Sequence, residues 1–215
     1  MLGTTQLGQG VWLCITDLGA AGIVVPLVVI ASLAFFYCGQ RRAVGIWLLA
    51  LLAAAGLALV SKILFIGWGI GIAAIDFTGL SGHTVLATAV LPLLCGWLWA
   101  PGNAAYSKMA AGCGLLLGAA VGVSRVVLGA HSVSEVILGW LAGFVVSLLA
   151  LAALKEKGHL PWPARLSGCL LLLAVAGDVA NYLPTHDWET RLALLLSARE
   201  KPYTRELLAL PARPI

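Results

Sequence analysis

Charges divide this chain into apolar blocks. None falls between Asp17 and Arg41, between Arg42 and Lys62, between Lys108 and Arg125, or between Glu135 and Lys155. A helix that crosses a bilayer needs roughly 20 apolar residues, and the gaps match that length. They predict spans at Leu18–Cys38, Ala43–Ser61, Thr84–Ala100, Met109–Leu128 and Ser132–Leu154, with a weaker sixth at Leu166–Leu183 that contains Asp178. Of 215 residues, 61% are hydrophobic and 10% charged, against about 45–50% and 25% in soluble domains. A soluble domain and a disordered chain are both excluded. The expected class is all-α: a polytopic membrane helix bundle of about six transmembrane helices over residues 1–183, followed by a tail at 184–215.

Between the spans the local signals are mixed. Ile66–Ala74 is short, apolar and rich in glycine, which suits a re-entrant or interfacial loop better than a helix. Pro101-Gly102-Asn103 is a turn signal. Gly114, Gly118 and Gly122, and then Gly139 and Gly143, recur every four residues, a spacing that lets helix backbones approach closely in lipid. The tail holds five of the thirteen basic residues, with Trp188, Leu192, Leu195 and Leu196 near one helical face. It reads as an amphipathic surface helix or a partly ordered segment. Five scattered cysteines show no metal-ligand spacing and read as buried free thiols. No basic residue precedes Arg41, so the first apolar run lacks a signal-peptide n-region and is expected to remain a helix.

Arg41-Arg42, Lys108, and Lys155, Lys157 and Arg165 occupy alternate loops on one side. The positive-inside rule places that side in the cytoplasm. Lys62, Ser81, Gly82, His83, Ser124, Arg125, His131 and Glu135 then gather at the outer face, from separate segments. Lys62 and Arg125 are the only basic residues outside the cytoplasmic loops and the tail. A guanidinium fork and an ammonium point charge suit phosphate oxygens, and Ser81-Gly82 at a helix start offers free N–H groups to an anion. His131 and Glu135, four apart, share a helix face, so the carboxylate can hold one imidazole nitrogen protonated and leave the other as a nucleophile. His83 suits protonation of a leaving group. Phosphoryl transfer needs such cations around an oriented nucleophile. No carboxylate cluster suggests a metal, so neither metal nor cofactor is expected. The net charge of +4 is not a nucleic-acid signature.

Ser124-Arg125, five residues, His131, three residues, Glu135 resembles the S-R-x5-H-x3-D motif of the type-2 phosphatidic acid phosphatase superfamily. Leu80-Ser81-Gly82-His83 resembles its P-S-G-H motif, and Lys62 the lysine that opens K-x6-R-P. The resemblance covers about residues 43 to 154. It implies His131 as the nucleophile that becomes a phosphohistidine, His83 as general acid, Glu135 as orienter, and Lys62, Ser81, Gly82 and Arg125 as the phosphate cradle. Three positions depart from the pattern: Glu135 stands for Asp, Leu80 for Pro, and Gly69-Ile70 for Arg-Pro.

The expected activity is a metal-independent phosphatase acting on a lipid phosphate or diphosphate. The candidates are a polyprenyl diphosphate such as undecaprenyl diphosphate, phosphatidylglycerol phosphate and phosphatidic acid. Its partners would be that substrate and membrane lipids, with no nucleic acid. Its place would be the inner (plasma) membrane, with the site on the periplasmic or extracellular side. The same residues allow a lipid-to-lipid phosphotransferase. The departures at Gly69 and Glu135 allow a degenerate protein that binds or transports lipid.

Overall fold

The computed structural model describes residues 6–99, 104–154 and 185–209. These form α1 (Gln6–Asp17), α2 (Ala21–Tyr37), α3 (Arg41–Trp68), α4 (Gly82–Trp99), α5 (Ala104–Val127), α6 (Val133–Ala153), α7 (Thr185–Ser197) and α8 (Arg205–Ala209). A short 3-10 turn, Ala73–Ile75, lies in the loop between α3 and α4. The described residues contain no strand, only an isolated bridge between Ile72 and Phe77. The chain is an all-α helix bundle. Gly8–Tyr37 and three further helices, α3, α5 and α6, are long and apolar enough to cross a membrane, with α4 a shorter apolar helix among them. The sixth expected span, with Asp178, lies outside the described residues.

The outer surface fits lipid. Leu49 and Leu116 are each 72% exposed, and Leu52, Met109 and Leu148 also face outward, an array of apolar side chains that a soluble surface does not carry. The packing lies inside, around α4. Thr84, Val85, Ala87, Thr88, Ala89 and Val90 have no exposure at all. Phe35 of α2 meets Trp47 of α3 edge to face at 6.1 Å and Trp97 of α4 at 4.6 Å. The Trp47 indole N–H donates to the Ala89 carbonyl at 3.1 Å, which satisfies the one polar group of a fully buried ring.

The four-residue glycine stripes explain how α4 fits. A Cβ on Gly114 would stand 2.5 Å from the Pro92 Cα, and one on Gly118 2.6 Å from the Thr88 hydroxyl. On the other flank a Cβ on Gly143 would stand 2.6 Å from the Val85 carbonyl oxygen. α5 and α6 therefore close on α4 from two sides, and only glycine permits that approach.

α2 matches the first expected span, Leu18–Cys38, to within three residues, with α1 before it and a turn at Leu18–Ala20 between them. Two readings from sequence are corrected. The second span does not end at Lys62. α3 runs on to Trp68 through Gly67, which faces α7 so closely that a Cβ there would stand 3.1 Å from the Ser197 Cβ and 3.2 Å from the Ala193 carbonyl oxygen. It stops where Gly69 takes a left-handed φ of 71° and its N–H caps the Phe65 carbonyl, the usual glycine C-cap. Cys14 and Cys113 are exposed thiols rather than buried ones, Cys38 and Cys95 are half-buried, and Cys169 lies outside the described residues.

Candidate active site

At one end of the bundle, where α3 finishes and α4 begins, a cavity of about 540 Å³ opens. Lys62, Gly82, His83, Arg125 and His131 all line it, with Ala21, Phe65, Ile66 and Leu86 as an apolar wall. Lys62 is placed by the length of α3: it lies 21 residues, about 32 Å, along the axis from Arg41. That is close to the roughly 30 Å hydrocarbon thickness, so the ammonium reaches the opposite membrane boundary. His83 enters on the first turn of α4.

Arg125 and His131 are brought together by the turn between α5 and α6. Gly129, at φ 69°, reverses the chain, and the N–H groups of Ala130 and His131 both donate back to the Arg125 carbonyl, at 2.9 and 3.2 Å. The spacing of the third motif is thus the length of one tight helix-end turn. The Arg125 guanidinium donates to the Thr16 hydroxyl of α1 at 3.2 Å, while its Nε has no partner among the described residues. A buried guanidinium nitrogen left without an acceptor suits an anion.

Glu135 is fully buried and accepts five hydrogen bonds. Oε1 takes the Thr78 N–H at 2.7 Å and the Thr78 hydroxyl at 2.5 Å. Oε2 takes His131 Nδ1 at 2.7 Å, the Ser132 N–H at 3.2 Å and Arg205 Nη2 at 2.5 Å. Ser132 is the N-cap of α6, and Ser132 with Glu135 forms a capping box, in which a glutamate at N3 reaches back to the N-cap amide. A carboxylate only accepts, so Nδ1 is the protonated nitrogen and Nε2 carries the lone pair. Burial pushes the His131 pKa down, and the Lys62 and Arg125 charges push the same way. Glu135 opposes them without reversing the result. The imidazole is therefore neutral at pH 7, the form that can attack.

The sequence-derived residues divide into two layers. Lys62, Gly82, His83, Arg125 and His131 form the wall. Glu135 stands behind His131. Ser81 is not in the wall: its hydroxyl accepts from Thr84 at 2.9 Å and its N–H donates to the Glu135 carbonyl at 3.3 Å. That leaves Gly82 and His83 as the contacts from the second motif. Leu80 is buried, with its N–H on the Ser61 hydroxyl at 3.0 Å.

Several wall residues were not legible beforehand. Thr78 and Gly79 come from the α3–α4 loop, and His186, Glu189, Tyr203, Thr204 and Arg205 from the C-terminal segment. Glu189 holds the Lys62 ammonium through both carboxylate oxygens at 3.0 Å. α7 turns Glu189 and the fully buried Ala193 toward α3, while Trp188, Leu195 and Leu196 stay exposed on its outer side. Asp76, exposed in the loop, pairs with Arg205. Among the described residues no group of three His, Cys, Asp or Glu side chains could hold a metal ion.

A family model described as the PAP2 superfamily matches residues 71–158. A Klebsiella pneumoniae protein described as an uncharacterized 22.5 kDa protein in the cps region is 38% identical over 154 residues, covering 67% of this chain and 71% of that protein. No solved structure matches.

Proposed function

The chain belongs to the PAP2 superfamily, and on that premise we propose that it hydrolyses a lipid phosphate or diphosphate through a phosphohistidine on His131. Family membership and the apolar helices support a membrane-embedded phosphatase in general terms. The single observation that carries the finer reading is the His131–Glu135 pair, at 2.7 Å, facing a cavity that also holds Lys62, Arg125 and His83.

His131 Nε2 attacks phosphorus, and the bond from phosphorus to the lipid oxygen, or to the bridging oxygen of a diphosphate, breaks. Burial and the Arg125 and Lys62 charges hold the His83 pKa down to about 3; the phosphate dianion offsets those cations, so that His83 takes up a proton on binding and passes it to that leaving oxygen. Glu135 keeps Nδ1 protonated and balances the positive charge that the imidazole gains on attack. Lys62, Arg125 and the Gly82 N–H take the non-bridging oxygens, where preorganised donors act most strongly on developing charge. Water then attacks the phosphohistidine as His83 takes its proton, the N–P bond breaks, and inorganic phosphate leaves with both imidazoles restored.

A lipid substrate is favoured because Phe65, Ile66 and Leu86 stand beside the charges and the cavity lies at the end of a bundle with an apolar exterior. The Arg41-Arg42 loop at the opposite end of α3 favours a cavity opening to the periplasmic or extracellular side.

The test is phosphate release by the purified protein from phosphatidic acid and a polyprenyl diphosphate in detergent micelles, with EDTA present. Turnover that survives EDTA, is abolished in His131→Ala, and is accompanied by an acid-labile phosphate on the wild-type chain is the expected result. Near-normal turnover by the alanine variant would sink the reading. Phosphate passed to an added lipid alcohol instead of water would make the protein a phosphotransferase.

A further inference from the structure

We propose that Arg205, supplied from the C-terminal segment, is a working part of this site: it fixes Glu135 behind the nucleophile and adds a third cation to the phosphate cradle. The proposal rests on the reading of His131 and Glu135 given above.

The first observation is placement. Arg205 lies 70 residues beyond Glu135, yet its Nη2 donates to Glu135 Oε2, the same oxygen that takes His131 Nδ1. Nη1 forms an ion pair with the Asp76 carboxylate at 2.8 Å and donates to the Asp76 carbonyl at 3.2 Å. A guanidinium carries five N–H donors in a fixed fork. Two hydrogen bonds and the Asp76 ion pair engage Nη1 and Nη2, and Nε makes no hydrogen bond among the described residues. Arg205 also lines the cavity. It can grip Glu135 and Asp76 with one edge and still offer donors to an oxyanion.

The second observation is that the segment carrying Arg205 is pinned to the site end of the bundle at several points. Glu189 binds Lys62 at 3.0 Å. The Tyr203 N–H donates to the Ile66 carbonyl at 2.9 Å. The Tyr203 ring covers Gly69, so close that a Cβ there would stand 2.9 Å from it. Arg199 in turn stacks on that ring at 4.1 Å and donates to its hydroxyl at 3.2 Å. At the end of α3, the left-handed Gly69 beneath Tyr203 leaves no room for a side chain reaching into the cavity. The cation comes instead from two residues beyond the tyrosine that fills the space.

The third argument is electrostatic. Glu135 is a buried negative charge directly behind the group that must receive an anion. Opposite charge placed on its own oxygen offsets the repulsion that an incoming phosphate would feel. Arg205 is in contact with that oxygen.

The experiment uses the full chain in micelles with phosphatidic acid as probe. It compares wild type, Arg205→Gln, Arg205→Lys and His131→Ala for kcat, KM, pH profile and melting temperature. Removing a charge-assisted contact of this kind is expected to lower kcat/KM by about 10- to 100-fold, with lysine recovering part of the loss. With the cation gone, Glu135 acts on His131 without its counter-charge, so the acid limb of the glutamine variant moves toward neutral pH. A merely structural Arg205 would lower the melting temperature and leave the limb and the turnover per folded molecule in place. Wild-type kcat/KM and an unmoved limb in both variants, with His131→Ala inactive, overturns the role of Arg205 alone. Turnover surviving in His131→Ala overturns the reading beneath it.

Discussion

Glu135→Gln separates the orienting role of this carboxylate from its structural one, because the geometry allows only two placements of the amide. With the NH2 in the Oε2 position it faces the Ser132 N–H and Arg205 Nη2, two donors that cannot turn into acceptors. His131 Nδ1 would have to accept, moving the imidazole proton to Nε2, the atom required to attack. With the NH2 in the Oε1 position it faces the Thr78 hydroxyl, which can rotate to accept, and the Thr78 N–H, which cannot. An orphaned buried donor costs about 1–3 kcal/mol, so the second placement, with one orphan against two, is favoured. It keeps a carbonyl oxygen on His131 and the right tautomer, but removes the negative charge that balances the imidazolium.

The expected loss of turnover is then that of a positioned acid–base group, about 10²–10⁴-fold. The accompanying loss of stability, about 1–3 kcal/mol for the Thr78 amide, lowers the melting temperature by several degrees without unfolding the chain. Glu135→Asp keeps the charge but loses a methylene, and donors from three separate segments cannot all follow it. It is expected to turn over faster than the glutamine variant while melting below wild type. The assay is phosphate release per folded molecule beside thermal unfolding in the same detergent. A glutamine variant that melts lower yet turns over like wild type would refute the orienting role and leave Glu135 a helix-capping residue.

The acid limb of kcat/KM is expected below the ordinary imidazole value of 6.5, because the neutral, attacking form of His131 persists as pH falls. Lys62→Met removes one of the charges that push this pKa down, so its limb should move upward; a limb that stays put would show that Lys62 does not act on His131. Gly114→Ala should lower the melting temperature by forcing α5 off the Pro92 backbone, whereas Gly112→Ala, with open space at its Cβ, should be neutral or gain about 0.5–1 kcal/mol. In a background without native cysteines, a membrane-impermeant thiol reagent should label Ala74→Cys and not Arg42→Cys. Both positions are exposed, and the reverse pattern would put the cavity in the cytoplasm.

What could be read in advance was whatever a short stretch of chain encodes by itself. Charge gaps fix apolar helices because a charge in hydrocarbon is costly, and α4, α5 and α6 follow their predicted runs to within a turn or so. The Arg125-to-His131 interval was legible because a single helix-end turn sets it. Two kinds of feature were not. Glycine is ambiguous: Gly67 reads as a breaker but is a contact point for α7, and only Gly69, two residues on, ends the helix. Contacts made across the chain leave no local trace. Glu189 meets Lys62 over 127 residues and Arg205 meets Glu135 over 70. The clustering of charge in the last thirty residues hinted that the tail had work to do, but not where it would dock. α1 was missed because its glutamines and glycines dilute the apolar signal, yet its Thr16 supports Arg125.

The glutamate at position 135 looks like a weakened version of an aspartate only if His131 is its sole partner. Its carboxylate serves three structural tasks at once: it closes the capping box of α6 on Ser132, holds the α3–α4 loop through Thr78, and receives Arg205 from the C-terminal segment. The capping box by itself favours Glu at N3, because the longer side chain can turn back on the N-cap amide. The bonds that orient the nucleophile are therefore the same bonds that join helix, loop and tail. Loosening any one of those three segments should reach His131 through Glu135. Thr78 is the most direct case, since its N–H and hydroxyl saturate Oε1 and leave Oε2 free to face the imidazole, the Ser132 amide and the guanidinium.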